Sequence, residues 1–467
     1  GGAGQVEGAR QTALLSQARA LLTAALAPSL AAEPGAPEAE ALSPAAAAKA
    51  EARAAKAEAR AQAKAAKPVK PSAKVEIELR TLGLEPKKFT DTGAPSTDKT
   101  TIFELAGSPN DDPAVYGNAY DVFGGGEAGA SACEALWALG SVGAINTMLS
   151  NFIKPLQENA DKDSRVHCSL NLNTETGRLS ARAPNLQNQP ALEKDQYYIR
   201  QAFTAKPGNL LVVADYGQLE LRLLAHISSC KSMISAFASG GCFHSRTAMG
   251  MFEHVRAAVD SGECLLEWDY SKGEPSAPLL KDCFGSERRR AKVLNFSIAY
   301  GKTAHGLSKD WGVSQSEAQE MVNKWYADRP EVLEWQKQTI ETARKTGATR
   351  TLMRRYRLLH GINSAKPYLR SGAERQAINT PIQGGAADLM TLAMLKLRRS
   401  KWLRENGFTL LLQIHDEVIF EGPAHLAEEA KAEVVRCMVQ PFDEHLPGLE
   451  VDLVVDAKTA FTWYDAK

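Results

Sequence analysis

The sequence of 467 residues predicts an α+β fold with a small antiparallel sheet. Three observations carry this. The β-rich runs are few and short, at 209–217, 410–420 and 449–464. Long stretches of helical periodicity separate them. No regular strand–helix–strand alternation joins them, as a parallel sheet would need. The length allows two to four structural units and a large buried core.

Along the chain, residues 1–100 stand apart. Between Ala41 and Ala66, 15 of 26 residues are Ala, interleaved with Lys, Glu and Arg, and Leu42 is the only large apolar side chain. Such a stretch has nothing to bury and reads as a linker or disordered segment. "ACEALWALGSVGAINTMLSNFIKPL" (132–156) has helical spacing and predicts one or two packed helices. "NLLVVADYG" (209–217) is a strand that leads into the helix "QLELRLLAHI" (218–227), with Asp215 at the junction. Residues 286–301 predict a basic helix. "AINTPIQGGAADLMTLAMLKL" (377–397) predicts a long helix opened by Pro381 and interrupted softly at Gly384-Gly385. "LLLQIHDEVIF" (410–420) is a hairpin, and "LEVDLVVDAKTAFTWY" (449–464) supplies a further strand.

Composition excludes some classes. Lys plus Arg equals Asp plus Glu at 55 each, so any nucleic-acid surface must be local. The seven cysteines are odd in number, scattered and without a C-x-x-C pair, which argues against a disulfide framework or structural zinc and for a reducing compartment. No apolar run approaches the roughly 18 residues that span a membrane. The chain begins with Gly1 and reads as a fragment or processed form, in which a targeting peptide would be invisible. No Asp precedes Asp91, so these residues leave no room for a two-metal exonuclease.

The chemistry begins with charge in the wrong place. His415, Asp416 and Glu417 interrupt an apolar hairpin, and buried charges cost several kcal/mol, on the order of magnitude typical for ions, unless compensated. Asp215 and Asp416 each adjoin a Val/Leu/Ile-rich strand. If the strands pair, the carboxylates converge and repel unless divalent cations bridge them. Two magnesium ions about 3.5–4 Å apart could then activate an attacking oxygen and stabilise a leaving one. The same residues also suit a helix cap and a turn.

In "ERRRAKVLNFSIAYGKT" (287–303), Arg288, Lys292, Phe296 and Tyr300 follow at intervals of four and form one slowly winding stripe. Two cations and two rings match a nucleoside triphosphate. A solvated basic helix with its Phe and Tyr docked in the core fits the same spacing.

Together these pieces resemble the family A DNA polymerases. "DYGQLELRLLAH" and "QIHDEVIFEG" look like the two carboxylate motifs of that family, and "RRRAKVLNFSIAYG" like its fingers helix. "TETGRLSARAPNLQNQP" and "ERQAINTPIQGGAAD" look like its DNA-contact motifs. All five fall in the family's order, within about residues 115–467. "VYGNAYDVFGGGEAG", "FHSRTAMGMF" and "VDAKTAFTWY" look closer to the plant and algal organellar branch, which implies a plastid or mitochondrial location.

The resemblance implies a right-hand fold: a partial thumb at 101–165, palm at 166–235 and 375–467, and fingers at 236–374. It implies DNA-templated addition of dNTPs to a primer with two Mg²⁺ ions. Asp215 and Asp416 would hold the metals with the backbone carbonyl of Tyr216, and Glu417 would support them. Arg288, Lys292, His244 and Gln218 would bind the nucleotide, with Lys292 the acid for departing pyrophosphate. Phe296 would pack on the sugar, Tyr300 on the nascent pair, and Glu220 would exclude a 2′-hydroxyl. Arg178, Asn185, Gln187, Arg375, Asn379, Gln383 and His415 would line the primer–template, reading features common to all base pairs.

Departures from the bacterial pattern are Gly217 for Ser, Cys242 for the acidic residue before the His, an insertion near 254–283 and a shortened thumb. A catalytically impaired DNA-binding remnant and a single-subunit RNA polymerase are the alternatives; Glu220 and the Phe296–Tyr300 pairing weigh against the latter.

Overall fold

The computed structural model describes residues 84–467 except 87, 91, 191, 193, 194, 196, 241, 269–272 and 443–447. The Ala-rich expectation lies outside the described residues as far as 83. Two compact units divide between Asn151 and Phe152.

In the first unit, helix α1 (Lys99–Ala106) opens on Asp98, whose Oδ1 accepts from the Thr101 N–H at 2.8 Å, a side-chain cap of an otherwise unpaired donor. Helix α2 (Gly126–Met148) lies close against it. Phe103 meets Trp137 edge-on at 6.3 Å, and a Cβ on Gly140 would stand 3.1 Å from Ile102 Cγ2, so any larger residue there would have to push that side chain back by a few tenths of an ångström. The helical run Gly126–Asn159 holds an 18-residue stretch of mean hydropathy 1.2, a length and composition that core helices share with membrane spans, so it leaves the expectation of no membrane partner in place.

The second unit contains strand β1 (Asn209–Tyr216), helices α3 (Leu219–Ser228), α4 (Phe243–Met251), α5 (Gly285–Ala299), α6 (Gln315–Ala327) and α7 (Pro367–Arg399), strands β2 (Thr409–Ile414) and β3 (Glu417–Pro423), helix α8 (Ala427–Val439) and strand β4 (Val455–Ala460). The sheet order is β4–β1–β3–β2, antiparallel throughout. Alternation divides the strand residues between faces. Val212, Ala214, Tyr216, Val418 and Phe420 pack on α7 and α8, whereas Leu211, Val213, Ile414 and Ile419 pack on Trp463 and Ala466. Helix α3 belongs to two cores: Leu219 and Leu223 join the sheet core, and Leu221 and Leu224 join a second core with α4, α5 and α6. It thereby fixes the strand end relative to the basic helix.

Two predicted elements change. The last strand covers 455–460 and not 449–464, because Val451 is buried in the helical core and Leu453 in the sheet core. Residues two apart in a strand share one face, so a segment that sends Val451 and Leu453 into different cores is not following strand alternation. The long helix is neither opened by Pro381 nor interrupted at its glycines; it begins at Pro367 and continues for 33 residues. Proline at 381 removes the donor for the Ala377 carbonyl. The buried Thr349 hydroxyl replaces it, donating to Ala377 O at 3.2 Å. Gly384 is there for contact: a Cβ would stand 2.4 Å from Thr351 Cγ2. Thr349→Val keeps the shape and strands that carbonyl. It should therefore lower unfolding stability by about 1–3 kcal/mol, read as a shift in urea midpoint at constant slope; an unmoved midpoint would show that the helix tolerates Pro381 unaided.

The expected insertion is a small folded satellite. Leu265 N–H donates to Pro278 O at 2.9 Å and Leu280 N–H to Leu265 O at 2.8 Å. Val255, Ala258, Cys264 and Leu280 form a core with Ala248 of α4 and Ala291 of α5.

Candidate active site

Register brings the carboxylates together. Asp215 pairs with Glu417 across β1 and β3, and the Tyr216 N–H donates to Asp416 O at 3.1 Å. Ile414 pairs with Glu417, leaving His415-Asp416 as a two-residue turn. Such turns need a left-handed residue at their first position, and His415 supplies it at φ 54°. Burial first, then Glu220 and Asp215, push the Asp416 carboxyl up to about 6, with Arg178 and Lys467 opposing. Burial also raises Glu417.

Three residues that sequence reasoning missed complete this end of the sheet. The Lys467 ammonium donates to Asp215 Oδ2 at 3.1 Å and to Glu417 Oε2. Burial works against its charge, and Glu417 and Asp215 more than restore it. Trp463, fully buried, donates to Glu417 Oε1 at 2.9 Å, and the Arg200 guanidinium lies 4.2 Å from the Trp463 ring centroid. No spacing links these positions; only the folding of the last residues beneath the sheet does. Asp215, Asp416 and the Tyr216 carbonyl are hard oxygen donors, the kind magnesium takes. Among the described residues no group of three or more His, Cys, Asp or Glu side chains is arranged as a metal site. The donors nonetheless fit a divalent ion, and the contact from Lys467 shows that Asp215 Oδ2 accepts a cation.

A cleft of 340 Å³ opens above this point. Asp215, Tyr216, Gln218, Glu220, His244, Lys292, Phe296, His415, Asp416 and Glu417 line it, as do Arg200 and Lys467. Ten predicted site residues thus share one cavity. Helix α5 delivers its stripe because Leu294 and Ile298 are buried on the opposite side, leaving Lys292 exposed and Phe296 half-buried. Phe296 and Tyr300 are stacked at 6.1 Å, and His244 stands 5.6 Å from Phe296. Arg288 Nη2 reaches Cys242 Sγ at 3.2 Å. Burial, then Arg288 and Lys292, push His244 down to about 4, so it is neutral at pH 7. Glu220, only 4% exposed, accepts from the Tyr300 hydroxyl and from Arg178 Nη2. Gln218 Oε1, Arg288 Nε and Asn379 Oδ1 are buried without hydrogen-bond partners among the described residues, and neither Arg288 nor Asn379 lines the cleft.

The expected DNA-contact residues are less concentrated. Arg178 and His415 share a second groove with Met390, Thr391 and Gln413. Gln187 donates to Gln413 O at 3.0 Å, and Gln383 is hydrogen-bonded to Tyr300. Asn185 Oδ1 accepts from the Gln187 N–H, and Arg375 Nη1 donates to Ser371 Oγ at 2.9 Å; neither lines the cleft.

A family model described as DNA polymerase family A matches residues 139–263 and 278–465, the gap falling inside the satellite. "DNA polymerase I B, chloroplastic/mitochondrial" of Arabidopsis thaliana is 58% identical over 364 residues, 77% of this chain and 35% of that protein. "DNA polymerase I B, mitochondrial" of Oryza sativa subsp. japonica is 54% identical over 384 residues, 81% of this chain and 37% of that one. The chain therefore spans about a third of the length of these relatives. Among solved structures, the POL domain of Pol1 from M. smegmatis, in complex with DNA primer–template and dNTP, aligns with TM-score 0.65 at 28% identity, covering 82% of this chain and 59% of that one.

Proposed function

The chain belongs to the family A DNA polymerases, and on that premise we propose that it is a DNA-templated DNA polymerase of plastids or mitochondria. The observation that carries this is the meeting of Asp215, Asp416, Lys292, Phe296 and Glu220 in one cleft. The primer 3′-oxygen attacks the α-phosphorus of a dNTP, the bond from that phosphorus to the bridging oxygen breaks, and pyrophosphate leaves. Two divalent cations, held by Asp215, Asp416 and the Tyr216 carbonyl, would supply charge compensation and a more reactive attacking oxygen. Glu417, fixed by Trp463 and Lys467, orients that end of the sheet.

Arg288, Lys292 and His244 bind the triphosphate, Lys292 also passing its proton to the leaving oxygen. Gln218 joins the nucleotide contacts, Phe296 packs on the sugar and Tyr300 on the nascent pair. Arg178, Asn185, Gln187, Arg375, Asn379, Gln383 and His415 hold the primer–template. The division into palm, fingers and partial thumb follows the same reading. Glu220 favours this function over an RNA polymerase: its carboxylate lines the cleft and is held by Tyr300 and Arg178, as a fixed gate against a ribose 2′-hydroxyl requires. The test is primer extension by the purified chain with Mg²⁺ and dNTPs, against the same protein without template. Absent extension by folded protein that still binds DNA would sink the reading in favour of a DNA-binding remnant, and equal extension without template would make the chain a template-independent transferase.

Glu220→Ala opens space at the sugar and frees Tyr300. It should lower the preference for dNTP over rNTP, measured as the ratio of incorporation efficiencies, by about tenfold or more. An unchanged ratio assigns the exclusion to another residue.

A further inference from the structure

Behind His244 lies a buried network that no sequence pattern announces. Asn295 of α5 is 0% exposed. Its Oδ1 accepts from Trp325 Nε1 at 2.8 Å, and its Nδ2 meets His244 Nδ1 at 3.0 Å and Thr247 Oγ1 at 3.2 Å. The Thr247 hydroxyl has two acceptors in reach, Phe243 O at 2.9 Å and Asn295 Oδ1 at 3.3 Å, so it fits the Asn295 amide in either orientation and the choice falls to Trp325. An indole nitrogen can only donate. The oxygen of the Asn295 amide must therefore face Trp325, since the flipped amide would oppose two donors. The NH₂ group then faces His244, and a donor at 3.0 Å requires a bare lone pair on Nδ1. The imidazole proton is left on Nε2.

We propose that Asn295 is a positioning residue that holds His244 as the neutral Nε2–H tautomer, so that a nucleotide phosphate meets an uncharged hydrogen-bond donor at this wall of the cleft. This rests on the reading of the cleft as a dNTP site. The surroundings agree. The charged groups acting on the ring are Arg288 and Lys292 of α5. Helix α6 contributes the uncharged Trp325, and helix Lys231–Ala238 contributes Phe237, stacked on Phe243 at 5.1 Å. Glu317, Glu320 and Lys324 of α6 gather around Met251 and Phe252 at the far end of α4, and His254 pairs with Glu287. A third cation beside Arg288 and Lys292 would be repelled; a neutral N–H adds a contact without that repulsion and keeps it independent of pH.

The experiment is nitrogen NMR of the histidine-labelled chain, with the His244 signal assigned by its loss in His244→Gln. The expected spectrum shows an unprotonated Nδ1 and a protonated Nε2 that do not titrate between pH 5 and 8. An Nδ1–H form, or titration near the ordinary histidine pKa of about 6.5, overturns the proposal. Asn295→Asp supplies the second arm. A carboxylate still accepts from Trp325 but cannot donate to Nδ1, so it recruits a proton there and makes His244 cationic. The apparent dTTP affinity in single-turnover incorporation should then change by at least about threefold between pH 6 and 8, since a charge-assisted bond is roughly twice as strong as a neutral one. The His244→Gln variant should show no such term. A folded Asn295→Asp with the wild-type pH profile overturns the proposal; if it does not fold, the wild-type spectrum decides. An unchanged dTTP affinity in His244→Ala would instead remove the nucleotide role of the ring, leaving the tautomer assignment to stand or fall on the spectrum.

Discussion

Asp215→Asn and Asp416→Asn should each abolish primer extension while leaving the chain folded and able to bind duplex DNA. Both amides keep the size of the side chain and remove the charge. At this strand end charge is the chemical asset: Asp215 already draws the Lys467 ammonium, and burial and neighbouring carboxylates hold Asp416 up to about 6. Neutralising either one removes half of the negative pair that a divalent ion would bridge. The loss of metal assistance at both attacking and leaving oxygens corresponds to several kcal/mol of barrier, so a rate reduction of about 10³-fold or more is expected. Duplex affinity should change little, because lysine and arginine contacts to phosphates dominate it. Extension and filter binding on the same preparations check the result. Substantial extension by either variant would sink the two-metal reading.

Lys292→Arg should slow the chemical step, whereas Arg288→Lys should weaken nucleotide binding. The two cations lie one helical turn apart on α5, yet their surroundings differ. Lys292 is exposed on the wall of the cleft. Arg288 is anchored against Cys242 and keeps a buried, unpaired Nε. Exchanging Lys292 for Arg retains positive charge and makes the donor a worse acid by about two pK units or more. If the proton leaves from here, the maximal rate should fall within the roughly 10²–10⁴-fold range of general acids. Exchanging Arg288 for Lys forfeits the planar fork, so the apparent dNTP affinity should fall with the maximal rate largely kept. Single-turnover incorporation across dNTP concentrations separates the two. A Lys292→Arg variant altered only in affinity would make Lys292 a phosphate clamp.

Local pattern accounts for much of this molecule. The strand-to-helix junction at Asp215, the hairpin around His415-Asp416 and the basic helix with its four-residue stripe all depend on neighbours in sequence, and all three are present. The long helix shows the limit. Pro381 and the glycine pair predict an interruption from local rules, and the helix continues because Thr349, 32 positions before the proline, supplies a donor to Ala377. The carboxylate end follows the same division. That Asp215 and Asp416 belong together was readable from two apolar strands each ending in an acid. That Lys467 and Trp463 share the site, that Glu220 is held by Arg178 and Tyr300, and that Asn295 dictates which nitrogen of His244 carries the proton were decided by register and packing alone. The physical reason is range. Periodicity, capping and turn preference act over a few residues and leave their mark in composition. A buried charge or amide is satisfied instead by whichever donor or acceptor the fold carries to within 3 Å, and that partner can stand anywhere in the chain.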